Sequence, residues 1–293
     1  MKKIGVNNLV TTKLKLGLLH STIREEEKFL ADEARNAKFD LTLLDARNQV
    51  FNPQKWEMKF DVILERCLSS TIGMQATLFF ERLGMKVVNS SEVSHNCDNK
   101  FLTSLLLLEH KIPTVPFALV FTEKEAKNAV QQLGGYPVVI KPVSGSWGRL
   151  LAKVNDEDSL EGIIEQKQVL GSPMQKAIYI QKYIEKPGRD IRVVVIGNSA
   201  IAAIYRQTSH WITNTARGAE AQKCSIETKL SDICLKASQA LGGGILGIDI
   251  FESEEGLLVN EINHTMEFKN VQRVSKVNVA GEIIKYCREV AKI

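Results

Sequence analysis

Over the first ninety residues, short apolar runs alternate with stretches in which apolar positions recur at helical spacing. The runs Leu14-Lys15-Leu16-Gly17-Leu18-Leu19-His20, Asp40 to Leu44, Phe60 to Leu64 and Lys86 to Asn89 read as strands. A helix follows the first run, opened by the capping box Thr22-Ile23-Arg24-Glu25, and helical patterns separate most of the others. This βαβ alternation predicts a small parallel sheet, preceded by an extension of thirteen residues.

The pattern changes near Asp98. Lys100 to His110 is a Leu-rich helix, broken by Ile112-Pro113-Thr114-Val115-Pro116. Phe117 to Phe121 reads as a strand, Glu123 to Leu133 as a helix ended by Gly134-Gly135, and Tyr136 to Lys141 as another strand. A third section opens near Tyr179 and runs through strands, the helix Lys229 to Leu241, two acid-bearing strands and a final helix from Gly281. The expected divisions are residues 1–97, 98–178 and 179–293. The fold class is α/β, in the α+β sense: a parallel N-terminal domain followed by two mixed subdomains.

Composition narrows the function. With 293 residues, 44% of them apolar, the chain can bury a large core. It has no run of eighteen apolar residues and no signal-peptide pattern, so neither a membrane span nor secretion is expected. Its five cysteines are scattered without a Cys-x-x-Cys pair, which argues against zinc and disulfide frameworks and for a reducing cytoplasm. A net charge of +4 is too mild to indicate nucleic acid but suits an acidic partner.

Candidate chemistry is densest near the end. Gly247-Ile248-Asp249-Ile250-Phe251 and Leu258-Val259-Asn260-Glu261-Ile262-Asn263 read as neighbouring strands, and residues two apart share a face. Asp249, Glu261 and Asn263 then converge as hard oxygen donors of the kind Mg²⁺ shares with phosphates; polar ends on two amphipathic strands are the plainer alternative. Lys141, at a strand end before Ser144-Gly145-Ser146-Trp147-Gly148-Arg149, suits phosphate oxygens, or is incidental to a hairpin turn. Gly242-Gly243-Gly244-Ile245-Leu246-Gly247 fits G-x-G-x-x-G, but it follows a helix and precedes a strand, the reverse of a dinucleotide site. Gln181-Lys182-Tyr183-Ile184-Glu185 leaves a strand where a hinge can present backbone to an adenine edge and Glu185 to a ribose. Asp190 and Arg192 share a strand face, either as a salt bridge or with Arg192 directed at phosphate. The stretch from Arg206 to Gly218 carries arginines at both ends, suited to carboxylates or phosphates, or forms a solvated loop.

Taken in order, Asn99-Lys100, Val139-Ile140-Lys141-Pro142, Gly145 to Arg149, Gln181 to Ile184, Asp190-Ile191-Arg192, and Asp249 with Glu261 and Asn263 resemble the ATP-grasp ligases of the RimK type, from about Leu14 to the C-terminus. Trp211-Ile212-Thr213-Asn214-Thr215-Ala216-Arg217-Gly218 and Asn260 to Asn270 further resemble its LysX subfamily. The resemblance implies an N-terminal domain followed by a two-subdomain ATP-grasp fold and an activity forming an amide through an acyl phosphate, with ADP released. In the LysX subfamily the α-amino group of 2-aminoadipate is joined to the side-chain carboxylate of the C-terminal glutamate of a small acidic carrier, LysW, during lysine biosynthesis. A sister branch, ArgX, uses glutamate in arginine biosynthesis.

It also implies roles. Lys100 and Lys141 contact ATP phosphates, Gly145 to Leu151 closes over them, Gln181, Lys182, Tyr183 and Ile184 frame the adenine, Glu185 and Asp190 belong to the same cofactor site, and Asp249, Glu261 and Asn263 hold two Mg²⁺ ions. Arg206, Asn214 and Asn270 meet the amino acid, and Arg192, Arg206 and Arg217 serve catalysis. ArgX enzymes carry Gly-Phe where this chain has Asn270-Val271, so Asn270 favours aminoadipate, while Val271 departs from the small polar residue of that branch and leaves dual specificity open. A homodimer or homotetramer is the implied assembly, with no nucleic-acid or membrane partner. Two other readings remain: a RimK-type ligase adding glutamate to a ribosomal-protein tail, and an ATP-binding module without catalysis.

Overall fold

The computed structural model describes residues 13–145, 150–213 and 218–293, with backbone alone at Pro173 and Met174. It divides into two compact units: Met1–Val88 with Ile284–Ile293, and Asn89–Ile283.

In the first unit, β1 (Lys15–His20), β2 (Asp40–Asp45), β3 (Val62–Glu65) and β4 (Val87–Val88) form one sheet in the order β2-β1-β3-β4. Every pairing is parallel, as the βαβ alternation predicts. Helices α1 (Glu25–Asn36) and α2 (Ser70–Arg82) supply the crossovers. The core on one side of the sheet gathers Leu19, Leu44, Ile63, Ala76 and Phe80, with Phe51, Trp56 and Phe79 in edge-to-face and stacked contact. The capping box does not start at Thr22. Arg24 is the N-cap, and the Glu27 carboxylate accepts its backbone N–H at 3.0 Å and its guanidinium at 2.9 Å. A buried Glu27, also paired with Arg66, fixes the helix start more firmly than an exposed threonine would.

The second unit opens with α3 (Ser91–Asp98) and α4 (Lys100–Glu109) and is built on two antiparallel sheets. The smaller has the order β5-β8-β6-β7, from β5 (Phe117–Val120), β6 (Val138–Lys141), β7 (Ala152–Val154) and β8 (Ile178–Lys182). Strict alternation sends Val138, Ile140, Ile178 and Ile180 into a core with Ala126, Val130, Leu160 and Ile164 of α5 (Glu123–Gln132) and α6 (Glu157–Leu170). Val139, Lys141, Tyr179 and Gln181 therefore face the other way.

The larger sheet has the order β11-β10-β9-β12-β13: β9 (Arg189–Ile196), β10 (Ser199–Gln207), β11 (Glu220–Cys224), β12 (Ile245–Ser253) and β13 (Gly256–Asn263). Ile191, Val193, Val195, Leu246, Ile248, Ile250 and Ile262 pack against Leu230, Cys234, Ala237 and Leu241 on or beside α7 (Thr228–Ala240). The opposite face carries Asp190, Arg192, Arg206, Asp249, Phe251, Glu261 and Asn263. The Gly242-Gly243-Gly244 run is the C-terminal stop of α7, with N–H of Gly242 on Gln239 O at 3.1 Å and of Gly243 on Ser238 O at 2.8 Å. Helix α8 (Lys269–Ser275) follows β13. The final helix, α9 (Val279–Lys292), begins two residues before the glycine at which the sequence pattern places it, because Asn278 Oδ1 accepts the Gly281 N–H and closes the first turn.

Candidate active-site cleft

The two sheets of the second unit turn their non-core faces onto a shared, open cleft. Its apolar wall comes from Leu151, Tyr183, Ile184, Trp211, Ile212 and Phe251. Its polar wall comes from Lys141, Lys186, Asp190, Arg206, Thr213, Asp249, Asn260 and Glu261. An apolar slot with a few converging charges is the make-up of a small-molecule site.

From the smaller sheet comes Lys141, the last residue of β6, 7% exposed, whose Nζ donates to Asn260 Oδ1 at 2.9 Å. Burial lowers its pKa to about 8, with Lys100 and Lys186 pushing the same way and Glu261 opposing. Asn260 is available because of an irregularity in β13. Asp249 pairs with Glu261 but Ile250 pairs with Val259, so Asn260 is the extra residue of a β-bulge, turned out of the ladder toward the other sheet. Lys100, first residue of α4, donates to the Gly145 carbonyl and lies 3.4 Å from Glu261.

From the larger sheet comes a buried ion network. The Arg206 guanidinium makes a fork with Asp190, 2.6 and 2.7 Å, and reaches Asp249 at 3.0 Å. Arg192 forms a second fork with Asp249. Burial opposes both charges, but Arg192 and Arg206 hold the Asp249 carboxyl below its ordinary value, and Asp249 and Asp190 hold Arg206 above its own. Asp190 and Arg192, neighbours on one strand face, do not pair with each other. Each is drawn across the sheet, to β10 and β12, because those cross-strand partners lie directly in register. Gly247 makes room for this: a Cβ there would stand 3.1 Å from Arg192 Nη1 and 2.8 Å from Met266 Cβ.

The charges leave an excess. The lining itself balances Lys141, Lys186 and Arg206 against Asp190, Asp249 and Glu261, and the excess comes from Lys100 and Arg192, which stand beside it and pair with Glu261 and Asp249. Such a cleft attracts a polyanion. For Mg²⁺ the donor set fits in part: Glu261, its side chain 24% exposed, and Asn263 share one face of β13, and Asp249 stands opposite Glu261 in register. Both Asp249 oxygens are engaged by guanidinium groups, so a metal there shares this carboxylate with them.

Several expected residues lie elsewhere. Gln181 is buried, its Nε2 donating to Tyr179 Oη at 2.8 Å, and Lys182 and Glu185 are exposed outside the cleft wall. Asn270 accepts from Arg273 Nη2 at 3.1 Å in α8, away from the cleft lining. Gly145 adopts φ +133° and receives Lys100. Ser146, Trp147, Gly148, Arg149, Asn214 and Arg217 lie outside the described residues, as do residues 1–12. Sequence reasoning passed over Lys186, Phe251 and Asn260. All five cysteines are buried, and burial pushes Cys234 and Cys287 up to about 12, so none of them is a poised nucleophile.

The chain matches the RimK-like ATP-grasp domain over residues 97–287 and the LysX preATP-grasp domain over residues 16–95. It is 36% identical over 283 residues to the alpha-aminoadipate–LysW ligase LysX of Sulfurisphaera tokodaii, covering 94% of this chain and 99% of that protein. To the glutamate–LysW ligase ArgX of the same organism it is 29% identical over 279 residues, covering 94% and 99%. A crystal structure of a RimK domain ATP-grasp protein from Sphaerobacter thermophilus superposes with a TM-score of 0.79 at 22% identity, covering 93% of this chain and 98% of that one.

Proposed function

The chain belongs to the RimK-like ATP-grasp family, and on that premise we propose that it joins the α-amino group of 2-aminoadipate to the side-chain carboxylate of the C-terminal glutamate of a LysW-type carrier protein. It is an ATP-dependent ligase forming a C–N bond. The observation that carries the substrate assignment is the extent of the relationship: likeness to the aminoadipate ligase runs through both the preATP-grasp and the ATP-grasp parts, and exceeds that to the glutamate ligase.

In the proposed reaction the carrier carboxylate takes the γ-phosphoryl group of ATP to give an acyl phosphate and ADP. The amine then attacks the carbonyl carbon, phosphate leaves, and an amide remains. Positioning and charge neutralisation do most of the work in such transfers. Lys141 and Lys100 hold phosphate oxygens, Asn260 fixing the first and the Gly145 carbonyl the second. Tyr183, Ile184 and Phe251 supply the apolar slot for the base. Arg192 and Arg206, kept charged and rigid by Asp249 and Asp190, set a positive potential along the floor. Glu261, Asn263 and Asp249 would hold Mg²⁺, two ions in this reading, and the metal would supply positive charge for the phosphate oxygens. The lack of a poised cysteine fits a mechanism that needs no protein nucleophile.

The test is mass spectrometry of a LysW-type carrier incubated with the protein, ATP and Mg²⁺, with 2-aminoadipate or glutamate in separate tubes. A mass gain with aminoadipate alone is expected. A gain with both makes the enzyme bifunctional. No gain with either, alongside ADP release with another acceptor, overturns the carrier assignment.

A further inference from the structure

Of the five cations in or beside the cleft, Lys141 and Lys186 are the two with no carboxylate at ion-pair distance among the described residues. Lys141 is served by Asn260. Lys186 lies two residues beyond Ile184, in the connection from β8 to β9, and had no motif to mark it. Its Nζ donates to Thr213 Oγ1 at 2.8 Å and stands 4.5 Å above the Phe251 ring. An ammonium has three donors and no acceptor capacity. One hydroxyl and one ring face meet part of that demand and leave a largely buried charge in need of an anion.

The carboxylate that acts on Lys186 most, Asp190, holds its hydrogen bonds to other donors. Asp190 gives one oxygen to Arg206 Nε and the other to Arg206 Nη2 and to Thr213, whose hydroxyl donates at 2.5 Å. Thr213 thus donates to Asp190 and accepts from Lys186, a donor–acceptor balance that fixes the hydroxyl and aims the lysine. Asp190, Arg206 and Thr213 are each at least 95% buried, so this support is rigid. The arrangement holds an ammonium in place for something that enters the cleft.

From this geometry we infer that Lys186 is a third phosphate-binding lysine, seated by Thr213 and Phe251 where the base slot meets the phosphate end of the cleft. The inference rests on the nucleotide reading of the cleft. The ligand is a polyphosphate rather than a single carboxylate because Lys141 stands between two other ammonium groups, Lys100 and Lys186, both of which act on it as like charges. Three ammonium groups arranged in this way are satisfied by a chain of phosphates that touches all of them, whereas one carboxylate leaves the repulsion on Lys141 largely in place. The side chain acts on bound nucleotide directly, so its loss weakens binding of phosphate-bearing ligands and spares the base.

The test is calorimetry on the full-length protein with ATP, ADP and adenosine, with melting of each variant in the absence of ligand. Lys186→Met is expected to weaken ATP and ADP roughly tenfold or more, as for a charge-assisted contact, and to leave adenosine unchanged. Lys186→Arg retains most of the affinity. Thr213→Val loses part of it and Thr213→Ser little. The ligand-free Lys186→Met variant melts at or above the wild-type temperature, because a poorly compensated buried charge has been removed; a structural lysine would lower it. Unchanged ATP affinity in Lys186→Met overturns the inference, as does an equal loss of ATP and adenosine. A wild-type protein that binds adenosine but gains nothing from phosphates overturns it together with the nucleotide reading.

Discussion

At the scale of single residues, two charged groups carry sharp consequences. Lys141 has its pKa lowered from 10.5 to about 8, chiefly by burial. The unfolded chain therefore binds more protons than the native protein between about pH 8 and 10.5, so this residue's contribution makes the ligand-free protein more stable as pH rises through that window. Phosphate binding acts in the opposite direction, since it favours the charged lysine. ATP binding near pH 8.5, without Mg²⁺, is expected to take up protons, measured by calorimetry in buffers of different ionisation enthalpy. Lys141→Met should remove most of that uptake; unaltered uptake in the variant places the proton elsewhere. Glu261 is different in kind, partly exposed and facing Lys100. On the proposed assignment, Glu261→Gln keeps the shape and loses the metal-facing charge. Turnover should fall by about two to three orders of magnitude while ATP affinity changes less than about threefold. Equal losses in both would make Glu261 a nucleotide-binding residue only.

At the scale of elements, the faces were legible and the exceptions were not. Period-two alternation places Asp249, Glu261 and Asn263 on one side of β12 and β13, and the register puts Asp249 opposite Glu261. The same period assigns Asn260 to the core face, and the bulge that turns it toward Lys141 leaves no signature in the residues around it. Phe251 reads as core in any hydrophobic count, yet its place on the odd-numbered face of β12 puts it in the cleft. Lys186 sits in a connection without periodicity, so only three dimensions connect it to Thr213. The helix-to-strand setting of Gly242 to Gly244 was readable, and it bears a prediction. Gly244 has φ +96°, and a Cβ there would lie 2.2 Å from Asn89 Oδ1. That amide is buried and clamps Ile245 N–H and C=O at 2.7 and 2.8 Å and the His264 carbonyl at 2.7 Å, tying the start of β12 to the chain after β13. Gly244→Ala therefore combines backbone strain with loss of the clamp. It should cost about 3 kcal/mol in denaturant unfolding, more than the roughly 2 kcal/mol of Asn89→Ala. A cost below that of Asn89→Ala would mean the clamp relaxes without penalty.

For the molecule as a whole, the choice between amino acids turns on one methylene, since 2-aminoadipate exceeds glutamate by a single CH₂. A hydrophobic contact to that group discriminates by only about 10- to 200-fold, so modest structural differences decide it. Sequence comparison pointed at Asn270 and Val271 together, and the structure separates them. Val271 is 1% exposed and faces inward from α8, so its departure from the subfamily pattern is a packing change. Asn270, half-buried one position earlier, holds Arg273 across one helical turn and keeps a polar side chain where the glutamate branch has none. On the proposed assignment, Asn270→Gly should lower the ratio of kcat/KM for aminoadipate over glutamate by about tenfold, with a stability loss of about 1 kcal/mol from glycine in a helix. Val271→Ser should do the reverse, lowering Tm through the buried hydroxyl and the lost methyl group while leaving the ratio within about twofold. Both are read in one experiment, competition between the two amino acids for limiting carrier, followed by mass spectrometry of the product. A ratio that moves with Val271 and not with Asn270 would place the discrimination in the packing of α8 rather than in a polar contact from it.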